Sequence, residues 1–224
     1  MRPAWIDELI QSFPAAKFNE PLSRYTTFRI GGPADAYVEV RDRESLARLM
    51  KFSRDRKLPL TMLGFGSNLL VLDGGVRGIV VRLRGEFETI EFLPQFRVRA
   101  GAAARVPQLV ASCAEKGLAG LEAIVGVPGT VGGALVMNAG TRDGEIGSTV
   151  IEAQVIDEKT FKPRVVAAAD LRFEYRRSAL EGLVVTSALL QLKPGDKADI
   201  MKRVQQFQQR RLETQPIHTF NVGS

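Results

Sequence analysis

Residues Ala123 to Gly140 carry no charged side chain, and the last fifteen of them, Gly126-Val127-Pro128-Gly129-Thr130-Val131-Gly132-Gly133-Ala134-Leu135-Val136-Met137-Asn138-Ala139-Gly140, hold five glycines. No other stretch constrains the fold so tightly. The run is long enough to raise the question of a membrane helix. Its glycines, Pro128, Thr130 and Asn138 make a poor lipid-facing helix. A solvent-exposed loop would normally be more polar. Glycines let a backbone pack closely against a flat ligand or another chain segment, and Thr130 and Asn138 could then supply neutral hydrogen bonds. The plainer alternative is a buried glycine-rich helix and turn.

A second glycine segment is Leu63-Gly64-Phe65-Gly66-Ser67-Asn68-Leu69-Leu70-Val71. A short apolar strand runs into Gly-x-Gly-Ser-Asn and out into another. Paired glycines allow a sharp turn whose successive N–H groups point inward as an anion nest, with Ser67 and Asn68 adding side-chain donors. A tight strand-to-strand turn accounts for the segment equally well. Common nucleotide signatures are absent. Position 69 is leucine, not the glycine of a Rossmann fingerprint. Neither a Gly-x4-Gly-Lys-Ser/Thr loop nor a Gly-x-Ser-x-Gly elbow occurs.

Composition narrows the function further. The net charge of +6 favours anionic partners. The charges are mixed, however, and no nucleic-acid motif accompanies them, so no nucleic-acid role is expected. The single cysteine, Cys113, excludes an intramolecular disulfide and sits on an apolar helical face as a packed thiol. The single histidine, His218, excludes a His-rich metal site, and no metal is expected. The first thirteen residues lack the apolar core of a signal peptide. A soluble, cytoplasmic protein is expected, with no membrane association and no required protein partner.

Periodicity predicts a helix through Ile6, Leu9, Ile10 and Phe13, then a polar, aromatic connection to Thr27. Asp35–Val40 reads as a strand, Glu44–Arg56 as a helix, and Leu60–Leu63, Leu69–Leu72 and Ile79–Leu83 as strands of an α/β unit. A hairpin around Pro94 follows. A helix through Val106, Leu109, Val110, Cys113 and Ala114 ends at Gly117. Strands are expected at Val150–Ile156, Arg164–Val166 and Leu183–Lys193. From Gly195-Asp196 a long helix puts Ile200, Val204, Phe207 and Arg211 on one side. The pattern divides into an N-terminal helix and linker over 1–21, one lobe over 22–84, a second over 85–195, and the start of a further domain over 196–224.

Taken together, Gly64–Asn68, Gly126–Gly140, Leu22–Gly32 (LSRYTTFRIGG), Phe173-Glu174-Tyr175-Arg176-Arg177-Ser178 and the terminal Asn221-Val222-Gly223-Ser224 resemble, in order, motifs of the UDP-N-acetylenolpyruvoylglucosamine reductase family. The resemblance implies an α+β, two-lobed FAD-binding fold of the vanillyl-alcohol-oxidase type, followed by the start of an α+β substrate domain. It implies FAD as cofactor, NADPH as hydride donor, and reduction of an enolpyruvyl UDP-sugar to UDP-N-acetylmuramate for peptidoglycan.

It also implies site residues. Gly64, Phe65, Gly66, Ser67, Asn68 and Leu69, with Gly126, Pro128, Gly129, Thr130, Gly132, Gly133, Asn138, Ala139 and Gly140, would bind FAD. The pyrophosphate would meet the amides of 64–68, and the flavin ring the segments 126–130 and 138–140. Arg176 would offer bidentate donors to the carboxylate on which charge develops. Ser224 would donate a proton. The family pattern runs on past Ser224, so the resemblance implies a C-terminally truncated chain and an incomplete substrate domain, with an exposed apolar face at Ile200, Val204 and Phe207. Two other functions remain open at this point: another FAD-dependent oxidoreductase of the superfamily, such as an oxidase, and a non-catalytic FAD-binding fragment.

Overall fold

The structure is a computed structural model and describes residues 3–215 and 219–220. It divides into two compact units between Gly85 and Glu86. The first unit opens with helix α1 (Ala4–Ser12) and strand β1 (Lys17–Pro21), followed by β2 (Pro33–Val40), α2 (Arg43–Asp55), β3 (Leu60–Met62) and β4 (Val76–Leu83). Its sheet has the order β1-β2-β4-β3, with β1 antiparallel and the other neighbours parallel. Inner strands of such a sheet are covered on both faces and read as nearly continuous apolar runs. Accordingly, Tyr37, Val38, Ile79, Val80 and Val81 are all buried. Asp42 caps α2 by accepting from Ser45 N–H at 2.7 Å.

Two expectations for this unit need correction. The polar connection hides an edge strand, β1, whose only buried residue is Glu20. Its weak alternation gives periodicity nothing to detect, and pairing with β2 (Lys17↔Tyr37, Phe18↔Ala36) defines it. Leu69–Leu72, read as a strand, is irregular. Val71 alone enters the core beside Leu22, Leu63 and Val80, while Leu70 and Leu72 are 60% and 72% exposed. The backbone of this stretch is tied to a neighbouring loop instead, as Leu72 C=O accepts from Gly32 and Gly75.

The second unit runs β5 (Ile90–Leu93), β6 (Arg97–Gly101), α3 (Val106–Glu115), β7 (Leu118–Ala119), α4 (Val131–Val136), β8 (Gly140–Thr141), β9 (Gly144–Glu145), β10 (Val150–Asp157), β11 (Pro163–Ala167), α5 (Ala168–Leu171), β12 (Leu183–Gln191), β13 (Lys193–Pro194) and α6 (Lys197–Thr214). Its main sheet is antiparallel throughout, in the order β11-β10-β12-β6-β5. Cys113 is buried, and burial, with the Glu122 charge adding to it, pushes its thiol up to about 12.

Helix α6 also departs from expectation. Most of its apolar face is covered: Ile200 and Val204 are 0% and 5% exposed, Phe207 is half-buried, and the helix packs on α3 and the turn at Glu122–Ile124. Burying two such side chains contributes roughly 3–6 kcal/mol before entropy is counted. An ion pair adds direction, with Arg203 Nη2 2.6 Å from Glu122 Oε1.

Burial raises the Glu122 carboxyl, but the Arg203 hydrogen bond and the backbone N–H groups of Glu122 and Gly120 outweigh it and hold the group below its ordinary value. A depressed carboxylate stabilises the fold above its unfolded-state value, and that stability is lost as pH falls through the folded one. Protection of the α6 amides, relative to their intrinsic exchange rate at each pH, is therefore expected to fall as pH drops below the ordinary glutamate range. Glu122→Gln should flatten that dependence and cost about 1 kcal/mol, since Arg203 is half-exposed and screened.

Candidate flavin site and the Arg176 turn

The two glycine segments lie in different units, and each has its own geometry. In the first, Gly66 is buried in a left-handed conformation at φ +73°. A Cβ there would lie 2.1 Å from Tyr25 O, and Gly66 C=O accepts from Thr27 N–H at 3.0 Å. This glycine answers to a chirality requirement and to a backbone neighbour. Gly64, Phe65 and Ser67 are half-buried beside it, and Asn68 and Leu69 are exposed.

In the second segment, Gly126–Gly129 form a half-buried turn, and Thr130 caps α4, its Oγ1 accepting from Gly133 N–H at 3.5 Å. Both readings of this segment survive in part. Gly132 is buried, and a Cβ on it would lie 3.1 Å from Ala102 Cβ, so there the close approach is to the protein's own chain. Gly133 is exposed, with nothing nearer to its Cβ position than Thr130 Oγ1 at 3.6 Å. Ala139 and Gly140 are half-buried.

Asn138 is only 1% exposed, at φ +39°. Its amide is used within the unit: Oδ1 accepts from Gly147 N–H at 3.1 Å, and Nδ2 donates to Glu174 C=O at 3.1 Å. That second bond joins the glycine-rich segment to the turn carrying Arg176. Glu174 and Arg177 exchange backbone hydrogen bonds of 3.0 and 3.2 Å around Tyr175 and Arg176. Arg176 occupies the third position of this tight turn at φ +57°, where glycine or asparagine is the usual residue. Tyr175 is 85% exposed, and the Arg176 guanidinium lies 5.1 Å from its ring centroid. An exposed arginine in a left-handed turn position costs about 1 kcal/mol or more. Ser224 lies outside the described residues.

Sequence reasoning passed over Arg211. Its side chain rests on Gly126, where a Cβ would be 2.6 Å from Arg211 Cδ. Burial alone lowers this guanidinium from its ordinary value, and no carboxylate pairs with it among the described residues. It remains charged. The signal for it was present in the sequence, as a cation continuing the apolar stripe of α6. Neither 64–72 nor 126–140 contains an Asp or Glu. Among the described residues no group of His, Cys, Asp and Glu could hold a metal ion, and no helix is long and apolar enough to cross a membrane.

Known proteins match this arrangement. A family described as an FAD binding domain covers residues 34–160. UDP-N-acetylenolpyruvoylglucosamine reductase 2 of Symbiobacterium thermophilum is 42% identical over 207 residues, covering 92% of this chain and 67% of that protein. The crystal structure of UDP-N-acetylenolpyruvylglucosamine reductase from Thermus caldophilus aligns with a TM-score of 0.77 at 39% identity, covering 90% of this chain and 70% of that one. 6-Hydroxy-D-nicotine oxidase from Arthrobacter nicotinovorans, at 21% identity and a TM-score of 0.58, covers 72% of this chain and 37% of that one, and shows the shared fold alone. With its α+β, two-lobed FAD-binding fold and identities of this size over most of its length, the chain belongs to the UDP-N-acetylenolpyruvoylglucosamine reductase family.

Proposed function

We infer that this protein is an FAD-dependent oxidoreductase that uses NADPH to reduce UDP-N-acetylglucosamine enolpyruvate to UDP-N-acetylmuramate, a peptidoglycan precursor. The observation that carries the reading is the Arg176 turn, hydrogen-bonded to the glycine-rich segment through Asn138. A reductase drawing on NADPH and a nucleotide sugar works in the cytoplasm, and we extend that location to this chain.

The residues present fit FAD. Both glycine segments are free of carboxylates that would repel a diphosphate, and Arg211, which no carboxylate pairs with among the described residues, places its charge over Gly126. Gly64, Phe65, Gly66, Ser67, Asn68 and Leu69 are assigned to the pyrophosphate side. Gly126, Pro128, Gly129, Gly133, Ala139 and Gly140 are assigned to the ring side, with Thr130, Gly132 and Asn138 shaping that surface from within. Bound FAD supplies the hydride chemistry that links NADPH to the enolpyruvyl group.

The chain's own residues handle charge and protons. As the enolpyruvyl double bond accepts hydride, negative charge spreads onto its carboxylate. The Arg176 guanidinium offers two parallel N–H donors to that charge, an interaction that strengthens toward the transition state. The neighbouring carbon then takes a proton, a step assigned to the Ser224 hydroxyl by family resemblance.

The purified protein titrated with FAD should acquire a flavin absorption spectrum. NADPH should bleach it under anaerobic conditions, and the enolpyruvyl UDP-sugar should restore it. A protein that stays colourless overturns the cofactor, and a flavin restored by oxygen but not by the sugar overturns the reductase. Arg211→Met retains the methylene packing over Gly126 and removes the charge. It is expected to weaken FAD binding about tenfold in the same titration, as one charge-assisted contact is lost.

A further inference from the structure

We propose that Asn138 is a positioning residue for Arg176, and that with Ser178 it forms a two-point clamp holding the Glu174–Arg177 turn against the glycine-rich segment. The proposal rests on the reductase reading, because it gives the clamp a catalytic consequence.

Four observations carry it. The Arg176 turn has little support of its own. Its residues are exposed, Arg176 is in a left-handed conformation, and the Glu174–Arg177 ion pair across it spans 3.7 Å in solvent. Such pairs contribute little. On the near side of the turn, Asn138 Nδ2 donates to Glu174 C=O at 3.1 Å. On the far side, Ser178 Oγ donates to Val136 C=O at 3.0 Å, just past the turn. Both bonds end within three residues on one short stretch, Val136 to Asn138, at the C-terminal end of α4.

Asn138 is itself immobilised. It is 1% exposed, and Oδ1 is occupied by Gly147 N–H, so the amide cannot rotate without leaving buried polar groups unpaired. Asparagine tolerates the positive φ required there better than most residues. Its carboxamide joins a donor and an acceptor on one planar group, as bridging Gly147 N–H to Glu174 C=O demands. A guanidinium that must meet a carboxylate bidentately is sensitive to displacements of about 1 Å. A turn fastened at both flanks has little freedom for such a displacement.

The test uses the FAD-loaded protein. Asn138→Asp keeps the acceptor for Gly147 and, once its carboxyl is ionised, sets an unprotonated oxygen against Glu174 C=O, severing one clamp point. Comparing exchange across pH separates that severed state from the neutral acid, whose O–H can still bridge. Ser178→Ala severs the other at a half-buried position where folding is undisturbed. Hydrogen exchange of the Glu174–Ser178 amides is expected to accelerate at least about tenfold in Asn138→Asp and severalfold in Ser178→Ala, with exchange in β10 and β12 unchanged. In turnover, kcat should fall about 10- to 100-fold in Asn138→Asp and severalfold in Ser178→Ala, and NADPH-driven bleaching should keep its rate in Ser178→Ala. In an Arg176→Ala background, Asn138→Asp should cost nothing further, because a positioning residue acts only through the residue it positions.

Unchanged exchange at 174–178 in both variants overturns the clamp. So does an equal kcat loss with and without Arg176, which would mark Asn138 as a general structural residue. If Asn138→Asp does not fold, Ser178→Ala alone decides by the same measures. If the unmutated protein shows no turnover, the reductase reading fails separately, and the exchange measurement still decides whether the clamp exists.

Discussion

Arg176→Ala is expected to lower kcat at least about 100-fold, with FAD affinity and NADPH-driven bleaching unchanged. The loss should appear only when the enolpyruvyl UDP-sugar reoxidises the flavin, as followed by stopped-flow absorbance. Arg176→Lys should recover little, because an ammonium cannot present two parallel donors to a carboxylate. Arg176→Gly separates activity from stability. The turn holds a non-glycine residue at φ +57°, so glycine should relieve about 1 kcal/mol and raise the melting temperature by roughly 2–4 °C while abolishing turnover. An Arg176→Gly protein that melts earlier would show that the conformation is not strained. One that turns over normally would remove Arg176 from the chemistry.

The second large effect is expected at Gly66. Alanine there meets two independent penalties. The left-handed backbone costs about 1–2 kcal/mol for any residue with a Cβ. That Cβ would also stand 2.1 Å from the Tyr25 carbonyl oxygen, a backbone atom that cannot swing aside. A total loss of about 3 kcal/mol or more, read from the urea midpoint, should be accompanied by loss of FAD binding, because the whole 64–68 turn must shift. Gly133→Ala is the matching control. Its Cβ meets only Thr130 Oγ1 at 3.6 Å within a helix, so folding should survive intact. If Gly66→Ala bound FAD normally, the assignment of that turn to the cofactor would fall.

Much of the architecture was legible from local pattern. The apolar spacing of α2, α3 and α6 and the strands β2, β4, β10 and β12 reflect burial periodicities that repeat over a few residues. β1 was not legible, because Lys17–Pro21 becomes a strand by pairing with β2 and buries almost nothing itself. Leu69–Leu72 misled for the opposite reason. An apolar run looks like a buried strand, yet three of its four residues lie exposed in an irregular segment. At the candidate site, glycines and Arg176 could be picked out as residue types in family order. What each glycine makes room for could not: Gly132 accommodates Ala102 and Gly126 accommodates Arg211.

Family motifs, element order and the absence of charge from Ala123 to Gly140 are properties of neighbouring residues, so they can be read along the chain. Three-dimensional packing was needed to show that Asn138 spends its amide on Glu174, thirty-six positions away, and that Arg203 reaches Glu122 across eighty-one. It was equally needed to show that Ile200 and Val204 of α6 are covered. Hydrogen bonds and apolar contacts act over a few ångströms of space and take no account of separation along the chain. No sequence pattern encodes which distant partner will satisfy a given amide, and the proposed orientation of Arg176 depends on one such partner.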